Sequence, residues 1–443
     1  MSESIAQYAD VHPSRQVDSV SPLEVGWHGR SLQGLARRLV LRQLGGLDGG
    51  HLRLVEGDEE LRLGADPAPG LPSAEVRVHD PEFYSKIAFG GAVGAAEAFM
   101  AGLWTTPNLT AVLQLIVRHR SVLDGMETGW ARLAKPLRLL FKWLHANTVE
   151  GSRRNIYAHY DLGNEFFELF LDRRMMYSSA IFEDGMIAAD GTMDLDAAAE
   201  AKLERLCQKL ELTADDHLLE IGTGWGGFAI YAAQTYGCRI TTTTISPSQH
   251  AYAVEAVRAA GLEDRIEILQ TDYRKLTGTY DKLISIEMIE AVGHEHLEEY
   301  FECCARLLKP EGRMALQGIT INDRVFDRYR KSVDFIQRYI FPGSCLVSLV
   351  SMTQALARGT DLQIVHVEDI GPHYADTLKA WRERFFERLP EVEAMGFSKT
   401  FVRMWDYYLS YCEAGFRERS IGDVQVVLSK PFDRRDIPLG DLS

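Results

Sequence analysis

The chain has 443 residues, of which 46% are hydrophobic and 25% charged. This length and balance favour two or three globular domains and exclude collagen-like, disordered and disulfide-dense proteins. The formal net charge of −15 disfavours sequence-independent binding to nucleic acid phosphates. Residues 1–145 carry a net charge of −1 and residues 146–443 carry −14. An anionic partner therefore needs a local basic surface.

The cysteine pattern and the N-terminus indicate a cytoplasmic location. The six cysteines form no C-x-x-C pair, which is typical of a reducing compartment and predicts neither a disulfide scaffold nor a zinc site. The opening residues, MSESIAQYADVHPSRQ, contain no basic segment followed by an apolar one, so they predict no export signal. The charge-free stretch 339–357 is too polar for a membrane-spanning helix. We expect a protein that is soluble or peripheral at the inner membrane face.

The first third of the chain predicts a small α+β domain. Residues 1–20 are polar without a sustained period, and we expect a flexible N-terminus there. An arginine-bearing amphipathic helix is predicted over 32–44. The segment 51–64, HLRLVEGDEELRLG, alternates on both sides of a glycine and predicts a β-hairpin, and a Pro/Gly linker follows. We assign residues 21–149 to this mainly helical domain.

The segment 131–147, ARLAKPLRLLFKWLHAN, predicts a basic amphipathic helix. Four cations fall on one helical face, and leucines and a phenylalanine occupy the rest; the cations are Arg132, Lys135, Arg138 and Lys142. Such a helix can lie on an anionic lipid surface. The alternative is a docking helix whose cations are solvated.

Beyond residue 154, short β-rich runs alternate with helical patterns. The predicted strands are 217–221, 239–245, 266–270, 281–286 and 313–319. The predicted helices between them are 197–212, 226–236, 247–260 and 294–308. This rhythm predicts an α/β fold with a doubly wound parallel sheet and helices on both faces. We place this domain at 150–435 and a C-terminal tail at 436–443.

The sequence LLEIGTGWGG, residues 218–227, predicts a cofactor-binding loop. Gly222, Gly224 and Gly226 let the backbone turn tightly and approach a ligand, and the next helix supplies amide dipoles. Nucleotides and S-adenosylmethionine share such loops. The second strand ends in Thr-Thr-Ile-Ser, without the acidic residue that a dinucleotide ribose normally requires. Asp272, after the third strand, can accept a hydrogen bond from an adenine amine, so the pattern favours S-adenosylmethionine.

From 155 to 431 the sequence resembles the cyclopropane-fatty-acyl-phospholipid synthase family. The matching blocks are HYDLGNEFFELFLD (159–172), MYSSAIF (176–182), LEIGTGWGGFAIYAA (219–233), TISPSQ (244–249), QTDYRKL (270–276), YIFPG (339–343), HYADTLKAW (373–381) and MWDYYLSYCEAGFR (404–417). A weaker likeness covers 76–115, where bacterial members carry a small lipid-handling domain. The resemblance implies a Rossmann-like class I methyltransferase fold behind a lipid- and membrane-associated N-terminal domain, and a homodimer.

The resemblance also implies a set of residues that contact S-adenosylmethionine. These residues match family positions along the whole cofactor, from its amino-acid end to its adenine. In that order they are Tyr177 and Ser178 at the amino-acid end, the loop glycines Gly222, Gly224 and Gly226, the ribose-binding Thr244 and Gln249, and the adenine-contacting Asp272 and Tyr273.

The chemistry of the family makes two demands on a site. An isolated alkene is a weak nucleophile, so methyl transfer onto it creates a carbocation, which aromatic faces in a dry pocket stabilise. Ring closure then needs a nearby proton acceptor. In the family this acceptor is thought to be a bicarbonate ion held by Cys, Glu, His, Tyr and an Ile carbonyl. Here Glu290, Tyr374 and Ile319 match three of these positions, whereas Ser179 and Gln317 replace the Cys and the His.

These replacements leave three outcomes open. Ser179 and Gln317 can still donate hydrogen bonds to bicarbonate. Alternatively, a desolvated Glu290 takes the proton itself. In the third outcome no ring forms, and the cation ends as a methylene or methyl-branched chain. Neither the residue pattern nor the resemblance assigns a role to Glu287.

The sequence therefore predicts S-adenosylmethionine-dependent C-methylation at the double bond of an unsaturated phospholipid acyl chain. The expected product is a cyclopropane fatty acyl chain, and a methylene or methyl-branched chain is the alternative. An alternative of another class is a non-catalytic homologue that binds lipid or cofactor.

Overall fold

The computed structural model describes residues 27–47, 49–64, 70–119 and 162–436. The predicted N-terminal segment 1–20, the basic segment 131–147 and nearly all of the predicted C-terminal tail lie outside these residues. Within the described part of the chain, no helix is both long enough and apolar enough to cross a membrane.

The described residues form helices and strands in the predicted alternation. The helices are α1 (Trp27–Leu44), α2 (Glu82–Met100), α3 (Leu109–Arg118), α4 (Gly163–Glu168), α5 (Leu195–Leu210), α6 (Gly227–Tyr236), α7 (Pro247–Ala259), α8 (Leu297–Leu307), α9 (Asp323–Tyr329), α10 (Phe335–Tyr339), α11 (Leu349–Gly359), α12 (Gly371–Glu387), α13 (Leu389–Ala394) and α14 (Lys399–Arg417). The strands are β1 (His51–Glu56), β2 (Glu59–Gly64), β3 (Ser73–Val78), β4 (Trp104–Thr105), β5 (His217–Ile221), β6 (Arg239–Thr243), β7 (Ile266–Leu269), β8 (Tyr280–Ile286), β9 (Leu308–Ile321), β10 (Gln363–Asp369) and β11 (Ile421–Ser429).

The chain divides into two compact units, and the first is not continuous in sequence. It holds the described residues 27–119 together with Asp334–Ile336 and Arg382–Glu418. Its four-stranded sheet has the order β2-β1-β3-β4, in which β1 and β2 form the predicted hairpin. Helix α14 packs against α2 and α3, and the Thr110 hydroxyl donates to Glu413 at 2.8 Å. The domain boundaries at 21–149 and 150–435 stay predictions, and these units differ from them by placing Arg382–Glu418 with the N-terminal residues.

The second unit is built on a seven-stranded sheet with the order β10-β11-β9-β8-β5-β6-β7. Strands β5 to β9 pair in parallel, and β11 runs antiparallel to both of its neighbours. Hydrophobic clusters cover both faces of the sheet, one against α8 and α11 and the other against α5 and α6. The predicted doubly wound α/β fold is confirmed, and the reversed strand β11 is an addition to it.

The sheet order reverses at β5, which has β6 on one side and β8 on the other. In open α/β sheets such a switch point leaves a crevice beyond the carboxyl ends of the strands, and ligands bind there. The glycine loop follows β5, and the segment that contains Glu287 and Glu290 follows β8. The fold therefore brings the predicted cofactor loop and the predicted catalytic segment to the same edge of the sheet.

Candidate active site

The glycine loop has the backbone geometry that its composition predicts. Gly222, Gly224 and Gly226 have φ angles of 106°, 53° and 90°, in the left-handed region that favours glycine. A Cβ at Gly227 would lie 2.2 Å from the carbonyl oxygen of Arg174. The segment that leads into Tyr177 and Ser178 therefore runs directly against the loop.

The buried carboxyl of Glu220 stabilises the glycine loop. The Glu220 carboxylate accepts a hydrogen bond from the Thr242 hydroxyl at 2.6 Å, and Thr242 is 2.7 Å from the Thr223 hydroxyl. Burial raises the pKa of Glu220 to about 8, so this side chain is mostly protonated at pH 7. Its contacts fasten the loop to β6.

The residues predicted to bind ribose and adenine lie at the ends of neighbouring strands. After β6, the Thr244 hydroxyl donates to Gln249 Oε1 at 3.1 Å. After β7, the Asp272 carboxylate binds the Arg274 guanidinium at 2.6 Å, which lowers the pKa of Asp272 to about 2. The half-buried Tyr273 ring packs edge-on against another tyrosine. Strands β6 and β7 pair in parallel, so these two pairs of residues occupy the same edge of the sheet.

An aromatic cluster connects the glycine loop with the predicted catalytic tyrosine. Its members are Phe167, Tyr177, Trp225, Tyr374 and Trp381. The Phe167 ring lies 5.0 Å from Trp225 in the loop and 5.2 Å from Tyr177, between ring centroids. Trp381 continues the row, 5.2 Å from Tyr177 and 6.1 Å from Tyr374. Aromatic faces of this kind attract a cation placed over them.

Three of the predicted catalytic residues converge on Glu287. Its Oε1 accepts from the Ser179 backbone N–H at 2.8 Å and from Gln317 Nε2 at 2.8 Å. Its Oε2 accepts from the Tyr374 hydroxyl at 2.6 Å. Glu287 has a φ of 47°, which is uncommon for a residue with a side chain. Glu287 has no role predicted from the sequence, in which its unusual backbone angle is not visible.

Ser179 and Ile319 both contact a glutamate of the site through their backbone N–H groups. The Ser179 hydroxyl donates to the Ala180 carbonyl at 3.0 Å, so Ser179 reaches Glu287 through its backbone and not through its side chain. The Ile319 N–H donates to Glu290 Oε1 at 2.5 Å, and the role implied for the Ile319 carbonyl stays a prediction. Glu290 Oε2 is buried with no hydrogen-bond partner among the described residues.

Glu287, Glu290 and Asp423 form a carboxyl cluster. The enclosed position of Glu290, and then the negative charge of Glu287, raise the pKa of Glu290 to about 8. Burial raises the pKa of Asp423 well above its ordinary value, and the neighbouring Glu287 and Glu290 raise it further. The cluster therefore holds more protons at pH 7 than three exposed carboxyls would.

A buried lysine stands close to the carboxyl cluster. Lys202 is fully buried, and its Nζ donates to the Ser178 hydroxyl at 2.6 Å. Burial lowers its pKa to about 8, against the attraction of Glu287 and other carboxylates. Lys202 and Asp423 are functional candidates that were not predicted from the sequence. Both carry a readable signal, because Lys202 lies on the buried face of α5 and Asp423 alternates with Gln425 along the otherwise apolar strand β11.

Comparison with known proteins identifies the family of this chain. The family model for mycolic acid cyclopropane synthetase matches residues 148–426. The tuberculostearic acid methyltransferase UfaA1 of Mycobacterium tuberculosis is 38% identical over 417 residues, which cover 91% of this chain and 94% of that protein. The cyclopropane-fatty-acyl-phospholipid synthase of Escherichia coli K12 is 35% identical, over 82% of this chain and 89% of that protein.

A solved structure shows the same relationship. The mycolic acid cyclopropane synthase CmaA1, complexed with SAH and CTAB, superimposes with a TM-score of 0.56 at 29% identity, covering 63% of this chain and 98% of that one. Such neighbours confirm the class I methyltransferase fold and support S-adenosylmethionine as the cofactor. The chain belongs to the mycolic acid cyclopropane synthetase family and is an S-adenosylmethionine-dependent methyltransferase of the cyclopropane synthase type.

Proposed function

We propose that this enzyme methylates the double bond of an unsaturated phospholipid acyl chain and closes a cyclopropane ring on it. The observation that carries the proposal is the placement of the aromatic cluster, which ends at Tyr374, against the carboxyl cluster that Tyr374 contacts. The first supplies faces for a carbocation, and the second supplies oxygen atoms for a proton.

The residues of the glycine loop fit S-adenosylmethionine. A Cβ at Gly224 would have nothing within 4 Å, so the loop leaves open space on that side. Thr244 and Gln249 would hold the ribose, and Asp272 would accept from the adenine amine while it keeps Arg274 as a partner. When bound, the cofactor supplies an electrophilic methyl group on a sulfonium.

The aromatic cluster provides for the cation that methyl transfer to an alkene creates. Trp381 and Tyr374 are buried, and the Trp225 indole N–H is occupied by Asn164 Oδ1 at 2.8 Å. The ring faces therefore offer stabilisation of positive charge. A phospholipid substrate supports the further proposal of a peripheral membrane location, and the resemblance to the family supports that of a homodimer.

A second candidate product is a methylene or methyl-branched chain. The observation that favours it is the 38% identity to a protein named as a tuberculostearic acid methyltransferase, over 91% of this chain. Both products arise from one carbocation. Direct loss of a proton from the added methyl closes the ring, whereas a hydride shift before that loss gives the methylene chain. Loss of a proton from a neighbouring chain carbon gives an unsaturated methyl-branched chain.

The test uses the purified protein with S-adenosylmethionine and vesicles of dioleoyl phosphatidylglycerol, followed by mass spectrometry of the released fatty esters. We expect a gain of one CH₂ in a product that resists mild catalytic hydrogenation, because a ring has replaced the alkene. A product of the same mass that takes up hydrogen readily is the methylene chain. Vesicles of the saturated distearoyl lipid are the control, and no mass change with either lipid contradicts the proposed function.

A further inference from the structure

The residues that match the family's bicarbonate ligands do not fit a bicarbonate ion in this chain. Three donors of these residues are engaged within the protein, since the Ser179 N–H, Gln317 Nε2 and the Tyr374 hydroxyl all donate to Glu287. A second anion at this place would meet the carboxyl cluster with these donors already engaged. Placing an anion beside carboxylates without donors is strongly unfavourable.

We propose that the Glu287 carboxylate takes the place of bicarbonate and accepts the proton from the newly added methyl group. This inference rests on the proposed function, since it concerns the second half of the same reaction. It assigns to Glu287 a role that the resemblance gives to an external ion.

The hydrogen bonds identify Glu287 as the ionised member of the carboxyl cluster. It accepts from three donors, whereas Glu290 accepts from the Ile319 N–H and Asp423 accepts from Gln317 Nε2 at 3.2 Å. Hydrogen bonds to the charged form favour that form. Enclosure raises the pKa of Glu287, and Tyr374, Lys202, Ser179 and Gln317 all act in the opposite direction. Glu287 is therefore the carboxyl of the cluster that carries the negative charge.

The position of Glu287 also suits a proton acceptor. Glu287 keeps partial exposure at the carboxyl end of β8, beside the switch point of the sheet, whereas Asp423 is fully buried on β11. A Cβ at Gly222 would lie 3.4 Å from Met288, the neighbour of Glu287 in sequence. The carboxylate is thus attached to a segment that touches the cofactor loop, where the methyl group arrives.

The step balances without a further reactant. A C–H bond of the added methyl breaks, its electron pair forms the second ring bond to the cationic carbon, and the proton moves to a Glu287 oxygen. The carboxylate becomes a neutral carboxylic acid and returns the proton to solvent before the next turnover. If a hydride first shifts from the methyl-bearing carbon to the cationic carbon, loss of the same methyl proton forms a C=C bond and gives the methylene product.

The first test needs no variant. The purified protein is assayed with S-adenosylmethionine and dioleoyl phosphatidylglycerol vesicles in CO₂-free buffer, with and without added bicarbonate. We expect equal rates. A fall of more than about tenfold when bicarbonate is removed overturns the inference. Product that forms only with bicarbonate leaves the proposed function intact, whereas absence of product in both buffers contradicts that function.

The second test uses Glu287→Gly, which removes the carboxylate and suits the positive φ. We expect turnover in CO₂-free buffer to fall by about a hundredfold or more, and added bicarbonate or formate to restore part of it at the vacated donors. Glu287→Gln is the matched control, because its amide fills the same place and should prevent that rescue. Binding of S-adenosylhomocysteine, measured by calorimetry, reports whether each variant is folded. Full activity of Glu287→Gly in CO₂-free buffer overturns the inference, and if neither variant folds the bicarbonate test decides.

Discussion

Glu290 gives the protein a pH-dependent stability at the scale of a single residue. Its pKa of about 8 in the folded chain lies above the ordinary value of 4.5, so the folded state binds a proton more tightly than the unfolded state. Stability that depends on this proton is present in full below about pH 4.5 and is lost as the pH rises through about 8. The charged groups around Glu290 are Glu287 and Asp423, which belong to the same carboxyl cluster, and the neighbouring Lys202.

Glu290→Gln removes this ionisation and keeps an oxygen for the Ile319 N–H. The natural protein loses stability as the pH rises from 5.5 to 8.5, and the variant does not. We therefore expect the free energy of unfolding of the variant, relative to that of the natural protein, to increase by a few kcal/mol (order of magnitude) over this pH range. Urea unfolding at both pH values measures the difference. An equal difference at both pH values means that Glu290 is not held protonated.

Tyr374→Phe tests the hydrogen bond to Glu287. Removing the hydroxyl takes away a donor that lowers the pKa of Glu287. We expect the acidic limb of the kcat–pH profile to move to higher pH and kcat at pH 7 to fall by about ten- to a hundredfold. The remaining groups around Glu287 are Ser179, Gln317, Lys202, Glu290 and Asp423. A lower kcat with an unmoved profile would indicate a packing role for Tyr374.

Residue types predicted the neighbourhood of the site better than its contacts. Glu290, Tyr374 and Gln317 all lie at the carboxyl cluster. The role of Glu287 was not predicted because its orientation depends on a left-handed backbone angle, and a glutamate in the sequence gives no sign of such an angle. Ser179 contacts Glu287 through its backbone N–H. Such a contact could not be predicted, because sequence patterns carry information on side chains and not on backbone groups.

The glycine loop is the element whose geometry the sequence predicted most directly, and Gly224→Ala tests it. Gly224 has a φ of 53° with open space where a Cβ would go, so alanine adds only conformational strain, on the order of 1–2 kcal/mol. We expect affinity for S-adenosylmethionine to fall by about tenfold. Gly261→Ala is the matched control, because Gly261 has a φ of 66° and equal space at the end of α7. Equal affinity in both variants would remove the loop from the cofactor site.

At the scale of elements, hydrophobic periodicity located the strands β5 to β9 but not the direction of β11. A buried strand shows the same run of apolar residues whichever way it runs. The reversal matters, because β11 brings Asp423 opposite Ile319 and Gln425 opposite Gln317. Two residues of the polar network are thus placed by a pairing that periodicity cannot reveal.

At the scale of the whole chain, the sequence predicts one basic surface on an acidic protein. Each Lys or Arg near an anionic membrane contributes about 1 kcal/mol of binding. Changing Arg132, Lys135, Arg138 and Lys142 to Glu should therefore weaken binding to phosphatidylglycerol vesicles by more than about a hundredfold. Arg132→Lys with Arg138→Lys is the charge-conserving control and should bind as the natural chain does. Equal loss on neutral phosphatidylcholine vesicles would refute the electrostatic explanation.

The first compact unit is discontinuous in sequence, which a prediction of contiguous domains does not reproduce. Residues Arg382–Glu418 belong with the N-terminal part, although they follow the second unit's Gln337–Trp381 directly in sequence. Contacts such as those of Thr110 with Glu413 and of Arg118 with Glu418 join residues about 300 positions apart. Composition and local periodicity carry no record of such distant pairs.

The most direct measurement uses S-adenosylmethionine whose methyl group carries three deuterium atoms, with dioleoyl phosphatidylglycerol vesicles and mass spectrometry of the product. If the enzyme adds this methyl to the alkene and a carboxylate then removes one of its protons, the product retains two deuterium atoms and the third appears in solvent. Retention of all three, or a product without deuterium, would contradict proton removal from the transferred carbon.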